Sequence, residues 1–319
     1  MNDDIYSVID QQQEKAAGGG TAAAEAGSAE RPYSKEEYAA KKKAEREEVY
    51  ARIDKVTEHI SEDPVAFKDY LDVMARFPRY SVANTLLIFE QLPEATRVGD
   101  FDSWKRRGES VRQGEKAICI LEPGDEYTRD DGTIGVSYNV RKVFDERQTS
   151  SRHLEPRHPD MRQLLFALID KSPVNIKTID GLPEAQGYAH YSHEGKTISV
   201  AKGLDGVQLF KALAVELAQA AIAEHDEHYA DSPDRETARL AAYVLAGRYG
   251  VDNSGLMPVL AVRTRDETEV SPIVREELSR IRDAAKAISE RMDKTLDVER
   301  GQDAESKARQ GNRGDRDAR

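Results

Sequence analysis

The sequence predicts an α+β protein of two domains: N-terminal helices with a small antiparallel sheet, then a mainly helical domain with a small sheet of its own. Three observations predict it. A chain of 319 residues is about two domains plus tails. Apolar residues recur at helical spacing as far as Leu92, and the period changes to two from Lys116. After a polar stretch that follows Gln148 the helical period returns, interrupted by one short strand–turn–strand pattern.

Residues 1–33 are poor in apolar side chains and rich in Gly and Ala, a linker composition, and are expected to be a disordered tail. Order is expected from residue 34. Ser34 with Glu37 makes a capping box before a long charged helix to about Ile60. Asp63-Pro64 starts a second helix carrying Phe67, Leu71 and Met74, and a third covers about Val82 to Leu92, stopped by Pro93. Ala117 to Leu121 reads as one strand, and Ile134, Val136, Tyr138 and Val140 alternate along another, with Asp131-Gly132 as the hairpin turn. This first domain is bounded at 34–150.

The second domain is bounded at 160–262. It opens with a helix of about Met161 to Asp170, followed by strands at Tyr188 to His193 and Thr197 to Ala201, then helices of about Gly206 to Ala223 and Pro233 to Gly250. A last helix spans 271–298. Val274, Leu278, Ile281, Ala285, Ile288 and Met292 make its stripe, which either packs on its own domain or joins a coiled coil with another chain. Residues 299–319 are charged and expected to be a disordered tail.

A net charge of −12 argues against a uniformly basic nucleic-acid coat but leaves room for a local basic groove. The single cysteine, Cys119, excludes an intrachain disulfide and reads as a small core residue. No apolar stretch is expected to reach the roughly 20 residues of a membrane span, and the first residues do not read as a signal peptide. The expected location is the cytoplasm, with no membrane partner.

Positive charge is concentrated in one place. Between Trp104 and Lys116 stand Lys105, Arg106, Arg107, Arg112 and Lys116 against Glu109 and Glu115. Binding of single-stranded DNA needs cations along the phosphates and flat faces on which bases stack. Trp104, the only tryptophan, directly precedes three of these cations, and Phe101, Tyr80 and Tyr138 add aromatic surface. Asn84 and Gln91 lie seven apart on one helix face, placed to bond bases or sugars, and Arg97 lies between Gln91 and Trp104. The competing reading is that Trp104 and Phe101 are core aromatics and the cations a solvated edge.

The order of motifs tilts that balance. Tyr80-Ser81 to Asn84, Gln91-x-Pro93-x-Ala95-Thr96, Phe101-x-x-Trp104 with Gly108, Gly114-Glu115-Lys116, Val143-Phe144-Asp145 and Gln148-Thr149 follow one another over about residues 40 to 150. The segment resembles the N-terminal single-stranded-DNA-binding domain of ArdC-type antirestriction proteins of plasmids, integrative elements and phages. The resemblance implies DNA binding without saying which residues touch DNA. The candidates from charge and aromaticity are Tyr80, Asn84, Gln91, Arg97, Trp104, Lys105, Arg106, Arg107, Arg112 and Lys116.

The second domain looks like the zinc-metallopeptidase domain that follows in ArdC-like proteins, a zincin-like fold. There His-Glu-x-x-His on one helix binds zinc through its two histidines and activates water with its glutamate. Here the stretch reads Val215-Glu216-Leu217-Ala218-Gln219, so both histidine positions are lost and only Glu216 remains, as a vestigial base. Glu236 or Thr237 stands at the third ligand's place. The cluster His225-Asp226-Glu227-His228 reads as exposed loop chemistry, as do His190 and His193 beside a turn. No metal, no cofactor and no catalysis are therefore expected. Single-stranded DNA is the expected partner, in an accessory protein of a mobile element or phage. The alternatives are a module that clasps a host or conjugation protein and a metallopeptidase with nonstandard ligands.

Overall fold

Asp63 divides two helices: its carboxylate accepts the N–H groups of Val65 (2.8 Å) and Ala66 (3.3 Å), and Pro64 follows where no N–H is needed. Helix α1 (Lys35–Glu62) thus ends where α2 (Pro64–Arg76) begins. Ser81 caps α3 (Val82–Gln91) through the N–H of Asn84. The structure is a computed structural model, and it describes residues 35–129, 131–151, 158–225, 231–256, 260 and 270–314. The expected N-terminal tail and most of the His225–His228 cluster lie outside the described residues. The chain divides into two units, Met1–Lys43 and Ala44–Arg319, and everything below concerns the second.

After α3 come a two-residue strand β1 (Val98–Gly99), a short helix α4 (Phe101–Arg106), and the long strands β2 (Ile118–Thr128) and β3 (Ile134–Asp145). The sheet has the order β1-β3-β2 and is antiparallel throughout, with a register irregularity between Pro123 and Glu126. Gly132 turns the hairpin at φ +82°, a conformation that favours glycine. The sequence predicts β2 and β3 but not β1, which is too short for a period.

Helix α5 (Met161–Ile169) is closed by a capping box between Asp160 and Gln163. A second sheet follows: β4 (Asn175–Ile179), β5 (Ala189–Ser192) and β6 (Thr197–Ala201), ordered β4-β6-β5, with β4 parallel and β5 antiparallel to β6. The sequence pattern misses β4, whose alternation is short and half exposed. Helices α6 (Gly206–His225) and α7 (Asp231–Arg248) pack side by side, and α8 (Val270–Gly314) runs along α5, α6 and α7. Helix α8 does not stop at residue 298: the Ala, Glu, Lys, Arg and Gln that read as a tail are also good helix formers.

The protein is α+β, as the pattern predicts. Its stripe on α8 is spent within the chain, since Val274, Leu278, Ile281 and Met292 are all fully buried. Against expectation, Gly206–Glu224 is long and apolar enough to cross a membrane by length and composition, but most of it is buried as a core helix is. One hydrophobic core joins Ile53 of α1 and Phe67, Leu71 and Met74 of α2 to Phe210 of α6, Leu245 of α7 and Ile281 of α8. Polar ties cross the same seam. The Tyr243 hydroxyl donates to Asp72 at 2.8 Å, and burial, then that carboxylate, push its phenol pKa up to about 12. Asp54 of α1 receives Ser271 at 2.9 Å and pairs with Arg275. The segments bounded at 34–150 and 160–262 therefore share a core.

Candidate functional site

Three of the residues chosen as DNA contacts have their chemistry turned inward. Trp104 has no exposed surface, and its indole N–H donates to the Phe144 carbonyl at 3.0 Å. An aromatic ring with no free face offers no stacking platform, so Trp104 anchors α4 to β3 instead. The guanidinium of Arg107 covers it at 4.9 Å from the ring centroid. Asn84 donates to the Leu121 carbonyl and accepts the Leu121 N–H, each at 2.8 Å. One helical repeat on, Gln91 does the same with Cys119, at 3.0 and 2.9 Å. The two amides thereby satisfy the edge of β2 that no strand covers, which is a structural use of the helix face the sequence assigned to bases.

The charged candidates divide likewise. Arg112 is fastened to Glu115 (2.8 Å) and to the carbonyls of Thr149 and Arg147, and Arg97 faces Glu146 at 3.8 Å. Asp145 organises this corner: fully buried, it accepts the N–H groups of Thr96, Arg97 and Arg147. Lys105, Arg106, Arg107 and Lys116 are exposed, the first two on α4 and Arg107 at its C-cap.

Tyr80 and Asn84 line one groove, while Gln91 and Lys116 line another of about 550 Å³. The first groove, of about 560 Å³, runs between the start of α3, the β1–α4 corner and the β2–β3 sheet, and Arg79, Tyr138 and Arg141 also line it. Tyr80 stands edge-on to Phe77, with centroids 5.7 Å apart, and burial raises its phenol pKa. Tyr138 is 40% exposed. Arg141 bridges Asp100 and Glu122, whereas Arg79 is exposed. Ser103 of the cation-bearing α4 forms part of the wall and accepts from Arg106 at 3.0 Å. Tyr138 also neighbours Tyr127 and Tyr50: burial raises the Tyr50 phenol pKa, and both neighbouring phenols raise it further. Tyr138 is already marked by the sequence as aromatic surface, but Tyr50 and Tyr127 are not; and although an alternating strand is ordinarily read as one buried face, Ile134, Val136 and Tyr138 all point to solvent.

The second site is a cleft of about 380 Å³ between β5, α6 and α7. Val215 and Glu216 line it, as the helix register requires. Glu216 is 1% exposed and accepts the Tyr191 N–H at 2.7 Å. The guanidinium of Arg235 lies 3.1 Å from the other Glu216 oxygen and donates to the Gln219 carbonyl oxygen at 3.2 Å. The Arg235 guanidinium thus bridges the side chains of Glu216 and Gln219. Neither residue considered as a third ligand faces this point. Glu236 is exposed, and Thr237, although buried, donates to Glu277. Arg235 and Arg239 project into the cleft instead, one turn apart on α7. His190 is half-buried and His193 exposed.

The fold and its two sites define an α+β protein with an aromatic groove on one sheet and a helix-walled cleft holding a buried ion pair. Residues 40–156 match the family model of the N-terminal domain of anti-restriction factor ArdC, and this segment is similar to that domain. An uncharacterized protein of Bacillus anthracis is 35% identical over 106 residues, which are 32% of this chain and 18% of that protein, so the chain spans less than a fifth of that relative. Two solved structures of the antirestriction ArdC protein from the R388 plasmid are similar. The metal-free one is 15% identical at TM-score 0.42, covering 67% of this chain and 86% of that one. The Mn(II)-bound one is 14% identical at TM-score 0.46, covering 74% and 97%.

Proposed function

We propose that this chain is a non-enzymatic, antirestriction-type accessory protein of a mobile element or phage that binds single-stranded DNA without sequence preference in the cytoplasm. The observation that carries the binding is the groove in which Tyr80 and Tyr138 stand beside Arg79, next to helix α4, which bears Lys105 and Arg106 and is followed by Arg107. Such a groove gives bases an aromatic face and phosphates a nearby cation, the combination that sequence-tolerant single-strand binding uses. A salt series of affinities for single- and double-stranded oligonucleotides tests it. Preference for the single strand with a negative salt slope is expected, and equal affinity for both forms overturns the reading.

The non-enzymatic half of the proposal rests on Arg235. A catalytic zinc needs three protein ligands and an open position. Val215 has no lone pair, and the oxygens of Glu216 and Gln219 hold a guanidinium, so the residues present do not fit a zinc ion. The cation that a peptidase would use to polarise water is here a fixed side chain without Lewis acidity. Metal analysis of the purified protein checks this: about one zinc per chain, retained through dialysis, overturns it. The exposed Ile134, at 68%, favours a second reading in which the hairpin docks on a protein partner. Ile134→Asp should then abolish partner capture while leaving DNA affinity unchanged.

A further inference from the structure

The cleft between α6 and α7 holds more positive charge than its ion pair uses. Among the described residues, Lys211, Arg235 and Arg239 line it against one carboxylate, Glu216. Arg235 consumes that carboxylate, which leaves two cations facing the same space. Their own acidic neighbours are distant and wet. Lys211 reaches Asp252 at 3.5 Å, where the acid is 60% exposed, and Arg239 reaches Glu236 at 3.9 Å, where it is 49% exposed. Exposed pairs of that kind contribute little, and neither acid lines the cleft.

Both cations are nevertheless partly withdrawn from water, although the Arg239 side chain as a whole is 38% exposed. The Lys211 side chain is 18% exposed, and the Nε of Arg239 is buried with no hydrogen-bond partner. A desolvated guanidinium N–H left unpaired is costly unless something else accepts it. An anion entering the cleft would meet this N–H together with the Lys211 ammonium.

We propose that this cleft binds a phosphate monoester, carried by a nucleoside monophosphate or by the terminal phosphate of a DNA strand. Two surplus cations match the charge of about −1.5 to −2 on such a group near pH 7 better than the single charge of a carboxylate. The planar fork of Arg239 suits two phosphate oxygens, and the Lys211 ammonium acts as a point charge beside it. Tyr188, 57% exposed in the cleft lining, offers a ring on which the attached base stacks. The volume of about 380 Å³ lies in the range of small-ligand pockets. The site does not depend on the DNA groove, which lies on other elements.

The test uses the full chain and isothermal titration calorimetry with inorganic phosphate, thymidine monophosphate, and one oligonucleotide with and without a 5′-phosphate. Thymidine monophosphate is expected to bind and to compete with inorganic phosphate. Lys211→Gln with Arg239→Gln should weaken it roughly 10- to 100-fold, and Arg239→Lys should recover part of the loss. The unphosphorylated oligonucleotide should bind parent and variant equally, which separates this site from the groove. A phosphate-dependent gain for the oligonucleotide, lost in the double variant, assigns the strand end as the source. Binding of the mononucleotide without that gain assigns free nucleotide. No heat with phosphate or mononucleotide at millimolar concentration, or equal binding by parent and a folded double variant, overturns the proposal.

Discussion

Arg235→Ala removes a cation paired with a carboxylate that is 1% exposed. Breaking an ion pair with both partners buried costs about 3–5 kcal/mol, because a charge is left behind without compensation. Arg235 is 37% exposed, so solvent already screens its end of the pair. Glu216 also keeps the Tyr191 N–H at 2.7 Å. Both facts reduce the figure by about half, to roughly 1.5–2.5 kcal/mol. For a folded unit of this size that is a fall in melting temperature of roughly 3–10 °C. Glu216→Gln in the same background removes the stranded charge and keeps an acceptor for Tyr191, so it should recover most of the loss. The assay is a double-mutant cycle by urea or thermal denaturation followed by circular dichroism. Additive effects of the two substitutions, or a neutral Arg235→Ala, would refute the pairing. The same logic governs a rebuilt metal site. Val215→His with Gln219→His should gain little zinc affinity while Arg235 remains, and should gain it when Arg235→Ala is added.

Tyr80→Ala and Tyr138→Ala should each weaken single-strand binding by about 1–3 kcal/mol, roughly 5- to 150-fold, with unchanged circular dichroism. Trp104→Ala should act on the fold, costing about 3–5 kcal/mol of stability; wild-type stability with lost DNA binding would return Trp104 to the interface. Asp100, hydrogen-bonded by Ser103 and paired with Arg141, has its pKa lowered to about 2. Its stabilising contribution is present above its unfolded pKa of about 4 and lost as pH falls from there through about 2. Asp100→Asn should flatten acid unfolding in that window, and an unchanged acid limb counts against the shift. A fragment ending at Ser151 lacks the α6, α7 and α8 faces of the shared core and should melt well below the full chain; an equally high, equally cooperative melt would show the first segment to be self-sufficient.

The fold class was legible in local sequence. Period and punctuation do not depend on distant residues: Asp63-Pro64, Asp131-Gly132 and the stripe from Val274 to Met292 each act within one element. The family resemblance was legible for the same reason, since its motifs follow in order along residues 40–156. That Val215 and Gln219, rather than histidines, flank Glu216-Leu217-Ala218 is also a sequence fact. Which side of a residue is used was not legible. Trp104 beside three cations and two amides seven apart suit a DNA track and a structural seam equally well. Only the placement of β2 and β3 against α3 and α4 gave Trp104 the Phe144 carbonyl and gave the amides the edge of β2. Likewise, nothing local distinguishes Arg235 from Glu236 or Thr237 as the residue that enters the cleft. That depends on the rotation of α7 about its own axis, which is set by the packing of its apolar face on α6 and α8, and a turn of 100° per residue separates an arginine on Glu216 from an acid in solvent.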